Sequence, residues 1–183
     1  DLDLVTGCWE GEDYELVIGE NDGTPFAGAW IQHDLGKLDA RALNIAVADF
    51  DLDGDPDVVS GSAANAAAEV RAWENNGSPF AGLWNESAVL ETGHYVYALT
   101  AADLDHDGDP DLAVSDLKLI VALPNTRALK PPGNWTPGTR PLPAPDALSV
   151  ALADFDYSGD ADIAAGTANN GVLVWKGDGG YTW

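Results

Sequence analysis

The chain has 183 residues, with 31 acidic residues against 8 lysines and arginines and a formal net charge of −23. A length of this size fits one domain or part of a larger one, and 45% hydrophobic residues can form a core, which excludes a disordered acidic tail. The negative charge disfavours nucleic acid and anionic membrane surfaces as partners. No apolar run approaches the roughly 20 residues of a membrane-spanning helix, so we expect no membrane insertion. The single cysteine, Cys8, excludes an internal disulfide framework.

An acidic motif occurs three times along the chain. Residues 49–57 read DFDLDGDPD, residues 103–111 read DLDHDGDPD and residues 154–162 read DFDYSGDAD, so the copies begin 54 and then 51 residues apart. A second motif keeps this period, because GTPFAGAW at 23–30 returns 54 residues later as GSPFAGLW at 77–84. Two landmarks in one register indicate an internal repeat. The three acidic segments are called loop 1, loop 2 and loop 3 below, with positions counted from one to nine.

Each repeat is predicted to form short strands. In the unit around loop 1, residues 44–49 lead into the loop and residues 57–61 lead out of it. A third strand is predicted over residues 69–74, followed by a turn at Asn75-Asn76-Gly77 and a fourth strand over residues 83–90. No apolar stripe has the sustained period of 3.6 residues that is typical of a helix. The prolines between residues 131 and 145 predict an edge strand or a surface loop, because proline cannot donate to a strand ladder.

Four short strands in each unit of about 50 residues are typical of the four-stranded antiparallel blades of a β-propeller. The units cover approximately residues 1–54, 55–108, 109–159 and 160–183, the last of them partial. We therefore predict an all-β fold in which residues 1–183 form a single β-propeller segment of about three and a half blades. Because a propeller ring has about 4–8 blades, we expect the remaining blades of the same protein, or further copies of the chain, to complete it.

The acidic loops predict about three calcium sites. Ca²⁺ takes about 6–8 oxygen ligands, and carboxylates at alternate positions of a tight loop can turn several oxygens onto one ion. Without a cation, so many neighbouring carboxylates would repel one another. The candidate ligands are Asp49, Asp51, Asp53, Asp55 and Asp57 in loop 1, Asp103, Asp105, Asp107, Asp109 and Asp111 in loop 2, and Asp154, Asp156, Ser158, Asp160 and Asp162 in loop 3.

The positions within a loop are not expected to be equivalent. Position seven is expected to offer its backbone carbonyl, which makes Asp55 a weaker side-chain ligand than Asp57. Ser158 carries a neutral hydroxyl instead of a carboxylate, so the third site is expected to bind more weakly. Mg²⁺ is the weaker alternative, since it dehydrates reluctantly and demands near-octahedral geometry.

An EF-hand loop opens with a similar pattern, but it needs an acidic residue at position twelve and flanking helices. Position twelve is Ser60, Val114 and Ala165 in the three copies, and the flanking segments read as strands. The pattern therefore excludes an EF-hand.

The motif at residues 49–57, followed by VVSG, VRAWENNG and PFAG, resembles the FG-GAP/VCBS repeat of integrin α-subunit propellers and of many bacterial secreted proteins. The resemblance covers essentially the whole chain. It departs from the family pattern at Ser158, at the shortened first loop with Asp1 and Asp3, and at Pro131, which stands where Phe26 and Phe80 stand in earlier units. It implies a seven- or eight-bladed propeller in a secreted or cell-surface protein. It also implies that Ca²⁺ is held by side chains at positions one, three, five and nine and by the carbonyl at position seven. Family members serve as adhesion modules, as lectins and as polysaccharide lyases, so the resemblance does not fix a ligand.

The leading functional hypothesis is a non-catalytic, calcium-stabilised module for adhesion or for recognition of a protein or carbohydrate ligand. A lectin, or one part of a propeller-fold polysaccharide lyase or hydrolase, is the alternative. His33, His94 and His106 do not converge in the sequence, and a lone histidine is more often a surface or hydrogen-bonded residue than a catalytic base. No nucleophile motif or phosphate-binding glycine loop is present, so no catalytic residue is assigned.

The seven tryptophans fall into two groups. Trp30, Trp84 and Trp135 recur in register, as do Trp73 and Trp175, so we expect these side chains to pack between blades. Trp9, Trp183 and the pair Tyr95 and Tyr97 fall outside the repeat and are the better candidates for a binding surface.

Overall fold

The computed structural model of the chain describes residues 2–10, 13–63, 68–81, 84–116, 118–125 and 141–180. Within these ranges the chain forms fourteen strands in four antiparallel sheets, which confirms the predicted all-β class. Of the described segments, none is a helix with the length and apolar character needed to cross a membrane.

The four sheets follow one another along the chain. Sheet A consists of β1 (Leu4–Glu10), β2 (Asp13–Glu20) and β3 (Ile31–Leu38). Sheet B consists of β4 (Ala42–Ala48), β5 (Asp57–Ser62), β6 (Glu69–Glu74) and β7 (Asn85–Glu91). Sheet C consists of β8 (Ala98–Ala102), β9 (Asp111–Ser115), β10 (Leu119–Leu123) and β11 (Leu142–Pro143). Sheet D consists of β12 (Ala147–Ala153), β13 (Asp162–Thr167) and β14 (Gly171–Trp175). In every sheet the strands pair in chain order, so each sheet is an antiparallel meander.

Each acidic loop connects two paired strands of one sheet. Loop 1 joins β4 to β5, loop 2 joins β8 to β9, and loop 3 joins β12 to β13. Each loop lies between two strands of the same sheet, whereas the predicted repeat units begin and end within the loops. The sheets are therefore offset from the predicted units. β1 begins directly after Asp3 and β5 begins at the equivalent Asp57, so the described strands of sheet A correspond to the last three strands of sheet B. Those of sheet D correspond to its first three.

Buried apolar side chains join the sheets in the order A, B, C, D. The cluster between sheets A and B contains Leu16, Ile18, Val58 and Trp73, the next contains Val59, Val70, Leu112 and Val114, and the third contains Ala113, Ile120, Ile163 and Ala165. Each fully buried valine, leucine or isoleucine side chain in these clusters contributes about 1.5–3 kcal/mol. The second strands of sheets B and C are buried along their whole length, since both faces are covered.

The first strands of consecutive sheets lie side by side, because β4 contacts β8 and β8 contacts β12. This arrangement is consistent with consecutive blades of a propeller, although the described residues do not form a closed ring. Sheet C also shows the predicted edge strand, since Pro143 lies in the two-residue β11 at its margin. The predicted irregular stretch around Pro131, together with Trp135, lies outside the described residues.

Candidate metal centre

The three acidic loops share one backbone conformation. Position four has a positive φ in each copy: 57° at Leu52, 64° at His106 and 60° at Tyr157. Position six is also positive, with φ of 101° at Gly54, 94° at Gly108 and 96° at Gly159. A φ near +100° is accessible essentially only to glycine, which explains why position six is glycine in all three loops. The backbone therefore turns sharply at the same place each time.

The carboxylate at position nine ties each loop to the rest of its sheet. The buried Asp57 accepts the backbone N–H of Phe50 at 2.9 Å through Oδ2 and that of Asn75 at 2.8 Å through Oδ1. The same pair of bonds joins Asp111 to Leu104 and Asn125, and Asp162 to Phe155 and Gly177. Position nine thus connects the start of the loop to the segment just after the third strand of the sheet.

Hydrogen bonds within each loop orient the remaining carboxylates. At position one, Oδ2 of Asp49 accepts the N–H of Gly54 at 3.0 Å. At positions three and five, Oδ1 of Asp51 and of Asp53 each accept the N–H two residues further on, at 3.1 and 3.0 Å. Such Asx turns are a local preference of aspartate. Loop 2 repeats all three bonds through Asp103, Asp105 and Asp107.

Three carboxylates in each loop bring oxygen atoms within 4.8 Å of one another. The groups are Asp49, Asp51 and Asp53 in loop 1, Asp103, Asp105 and Asp111 in loop 2, and Asp154, Asp156 and Asp162 in loop 3. Oxygens at this spacing can share one ion at the about 2.3–2.6 Å of a calcium–oxygen bond. These groups of described residues draw on positions one, three, five and nine.

Position seven is placed differently. Among the described residues, Asp55, Asp109 and Asp160 belong to none of the three groups. Asp160 is directed instead at the neighbouring loop, where its Oδ1 lies 3.2 Å from Nε2 of His106. That position seven offers a backbone carbonyl to an ion stays a prediction.

Loops 1 and 2 contain buried carboxylate oxygens for which the described residues supply no hydrogen-bond donor: Oδ1 of Asp49, Oδ2 of Asp51 and Oδ1 of Asp103. A buried, unpaired charged oxygen is costly, so such groups are normally paired or coordinate a metal. The atoms available to bind a metal are hard carboxylate oxygens, which are better ligands for Ca²⁺ than for a softer metal. The residues present therefore fit a calcium ion in these two loops.

The electrostatics of loop 1 point in the same direction. Burial raises the pKa of Asp57 to about 6, against the lowering effect of the N–H groups of Asn75 and Phe50. Burial also raises the pKa of Asp51, and repulsion from Asp53 and Glu74 adds to this. Loop 1 is thus short of positive charge.

Loop 3 has the same backbone but different partners for its carboxylates. Oδ1 of Asp154 accepts the N–H of Ser158 at 3.0 Å, and Oδ2 of Asp156 accepts a hydrogen bond from Nζ of Lys176 at 2.5 Å. The bond from Lys176 holds the pKa of Asp156 below its usual range. Loop 3 is also more open, because Phe155 at position two is 51% exposed whereas Phe50 is 6% exposed.

Two kinds of residue at the site were not identified from the sequence. Asn125 binds loop 2 through its backbone N–H, and its side-chain amide donates to the carbonyl of Phe50 in loop 1 at 2.6 Å, so it links two loops. Lys176 is the second case. The role of the asparagines could have been inferred from the sequence, because the Asn75-Asn76-Gly77 turn recurs 54 residues earlier as Asn21-Asp22-Gly23, where the N–H of Asn21 donates to Asp3. The repeat does not indicate Lys176, because its counterpart in sheet B is an acid.

The histidines have separate partners. Nε2 of His33 lies 2.8 Å from Oε2 of Glu20, and its ring contacts Phe80 at a centroid distance of 4.9 Å. His106 is exposed, and its Nε2 lies 3.2 Å from Oδ1 of Asp160 in loop 3. The described hydrogen bonds of His94 involve only its backbone and Thr92.

The predicted packing of the repeated tryptophans holds for part of those that the structure describes. Trp84 and Trp175 pack against the clusters between sheets, whereas Trp30 is 38% exposed, so the prediction is wrong there. Trp73 is buried between sheets A and B and donates to Oγ of Ser60 at 3.2 Å, which confirms its predicted packing. Trp84 and Trp30 each donate to the carbonyl of the proline five residues earlier, at 3.1 and 3.3 Å, and so stabilise the PFAG turn.

The side chain of Trp9, and all of Trp183, lie outside the described residues. Tyr95 and Tyr97 form an edge-to-face pair at 5.8 Å.

The fold and the loops together define a repeat protein of antiparallel sheets with an oxygen-rich acidic loop between the first two strands of a sheet. A family model for the FG-GAP-like repeat matches residues 51–114. This stretch runs from loop 1 through all of loop 2 into β9, and the match confirms the FG-GAP resemblance of the sequence there. No curated protein matches the chain at a significant level.

Proposed function

We propose that the chain is part of a calcium-stabilised β-propeller in a secreted or cell-surface protein, where it serves adhesion or recognition without catalysis. The observation that carries the calcium role is the set of buried carboxylate oxygens in loops 1 and 2 without a hydrogen-bond donor among the described residues. A bound Ca²⁺ would supply the positive charge that these oxygens require.

The residues proposed to hold the ion are those at positions one, three, five and nine, with the carbonyl of position seven. Their carboxylates are oriented without an ion, because Asx turns and N–H groups that donate to positions one and nine fix the direction of each carboxylate. Preorganised ligands lose less conformational entropy on binding than free side chains do. A structural ion is therefore the expected outcome.

The position of the loops explains how an ion would stabilise the fold. Each loop joins the first two strands of a sheet, and position nine reaches the end of the third strand. Asn125 continues this connection from loop 2 to loop 1, and His106 continues it from loop 2 to loop 3. An ion in one loop thus braces one sheet and its contact with the next.

The ring is proposed from the packing of the sheets. Val172 of β14 is 70% exposed, although its counterparts Val70 and Ile120 are 0% exposed because the next sheet covers them. The face of sheet D therefore fits a further sheet of the same kind, supplied by remaining blades of the protein or by another copy of the chain. A ring of seven or eight blades is implied by the FG-GAP resemblance.

The calcium role is tested by thermal unfolding of the chain in excess chelator, in Ca²⁺ and in Mg²⁺. Occupancy at about 100 times Kd adds about 2.7 kcal/mol per site, which corresponds to several degrees per site for a domain of this size. We expect Ca²⁺ to raise Tm by about 10 °C over the chelator and Mg²⁺ to raise it less. The matched control is Asp34→Asn, which removes one exposed carboxylate from β3 and should keep the full Ca²⁺ response. An identical Tm in chelator and in Ca²⁺ would disprove the proposal.

Carbohydrate binding is the second candidate, because a cleft of about 500 Å³ lies beside loop 1. Val5, Ile18, Phe80 and Trp84 form its apolar wall, and Asp55 and Asn75 supply polar groups. Ligand sites combine apolar walls with a few polar groups in this way. A glycan array with bound sugars and no product in a polysaccharide-cleavage assay would support the lectin role. Release of reducing or unsaturated ends would favour the lyase or hydrolase alternative.

A further inference from the structure

We propose that Lys176 is a built-in cation for loop 3, so that this loop stays without a divalent ion at Ca²⁺ concentrations that fill loops 1 and 2. The inference rests on the proposed calcium function of the loops and concerns how the three copies divide that function.

Lys176 occupies a defined place in the repeat. It follows Trp175, which pairs with Ile163, just as Glu74 follows Trp73, which pairs with Val58. The residue after this tryptophan is thus a base in sheet D and an acid in sheet B, at the equivalent position of the repeat. The two loops therefore face opposite charges at one equivalent point.

The consequence is visible at single oxygen atoms of position three. In loop 1, Oδ1 of Asp51 accepts the N–H of Asp53, and Oδ2 is buried without a donor among the described residues. In loop 3, Oδ1 of Asp156 accepts the corresponding N–H of Ser158, but Oδ2 accepts the ammonium group of Lys176 at 2.5 Å. The oxygen that requires a cation in loop 1 thus already has one in loop 3.

Position one shows the same contrast. Oδ1 of Asp49 is buried without a donor among the described residues, whereas Oδ1 of Asp154 accepts the N–H of Ser158 at 3.0 Å. Ser158 also removes one negative charge from the loop. Loop 1 therefore combines five carboxylates with Glu74, while loop 3 combines four carboxylates with Lys176.

A divalent ion entering loop 3 has to displace the ammonium group or bind close to it. Repulsion between charges of +1 and +2 about 6 Å apart lowers the affinity by a factor of about ten even at the dielectric constant of water. The side chain of Lys176 is 66% exposed, so it has room to move away when the ion concentration is high. The chain is thus expected to bind two ions tightly and a third only at a higher concentration.

The experiment counts ions by equilibrium dialysis against Ca²⁺, with calorimetric titration for the affinities. The variants are Lys176→Gln, which removes the charge, and Lys176→Glu, which restores the acid of sheet B. Lys118→Gln is the matched control, because it removes the same charge from the turn between β9 and β10, at the end of these strands away from loop 2. We expect two tight ions in the unmodified chain and in the control. In Lys176→Gln the third site should bind about ten times more tightly than in the unmodified chain, and Lys176→Glu should have a larger effect.

Each outcome separates this inference from the proposed calcium function. Three ions of equal affinity in the unmodified chain would overturn it, and so would two ions with an unchanged third affinity in both Lys176 variants. In either case loops 1 and 2 would still bind, and the calcium function would stand. No binding to any chain would overturn the calcium function and, with it, the inference.

Discussion

Loop 1 and loop 3 have the same backbone and nearly the same sequence, yet their carboxylates are satisfied in different ways. In loop 1, oxygens of Asp49 and Asp51 are buried without a donor among the described residues. In loop 3, the equivalent oxygens accept the N–H of Ser158 and the ammonium group of Lys176. The acidic motif thus specifies the shape of the loop, whereas Ser158 within the motif and Lys176 outside it change how its carboxylates are paired.

The largest expected difference between loop 1 and loop 3 is in the Ca²⁺-dependent rise of Tm after one candidate ligand is removed from either loop. Asp51→Asn should abolish the Ca²⁺-dependent rise in Tm that comes from loop 1, about 2.7 kcal/mol at 100 times Kd. Asp156→Asn should leave the Ca²⁺ response nearly unchanged, because loop 3 is already paired with Lys176. Melting curves with and without Ca²⁺ measure both. Equal losses in the two variants would show that the loops are equivalent.

The glycine at position six tests the shared backbone. Gly54→Ala and Gly159→Ala each place a side chain at a φ near +100°, in space where no atom lies within 4 Å, so backbone strain is the main cost. We expect both variants to lose about 1–2 kcal/mol of unfolding free energy in chelator. Denaturant titration measures the loss. A large difference between the two variants would contradict a common loop conformation.

The pH dependence of the metal-free chain is expected to reflect loop 1. Because the pKa of Asp57 is raised from 3.8 to about 6 in the folded state, the folded chain takes up the proton before the unfolded chain does. This group should therefore stabilise the fold by about 1 kcal/mol as the pH falls from 7 to 5. The lowered pKa of Asp156 has the opposite sign and acts at lower pH. Denaturant titrations in chelator at pH 7, 6 and 5 measure the slope, and a steady loss of stability over this range would contradict the burial of Asp57.

The smallest effect concerns the ion pair in the absence of calcium. Lys176 and Asp156 are both exposed to solvent, where water screens an ion pair and leaves it little effect on stability. Lys176→Gln should therefore leave the denaturant midpoint of unfolding in chelator nearly unchanged. A clear fall in this midpoint would mean that Lys176 is mainly a structural residue of sheet D.

The repeat made much of the fold predictable. The third strand of sheet B was expected over residues 69–74, where β6 lies, and the fourth over residues 83–90, where β7 covers Asn85–Glu91. These strands follow from alternating apolar residues and from turn residues, which are local signals. The loop conformation was predictable for the same reason, because glycine at position six recurs in each copy.

The contacts between distant segments were not predictable in this way. Lys176 reaches Asp156 only because β14 pairs with β13, and Asn125 reaches Phe50 only because sheet C packs against sheet B. A local sequence motif does not indicate which distant residues contact it. For the same reason, the sequence predicts a weaker third site from Ser158 alone and does not indicate Lys176, which follows β14.

Anomalous scattering from a crystal of the chain grown in Ca²⁺ tests the central claim most directly, since it locates the ions. We predict one ion in loop 1 and one in loop 2, each bound by carboxylates at positions one, three, five and nine and by the carbonyl at position seven. Loops 1 and 2 without a peak at millimolar Ca²⁺ would contradict it.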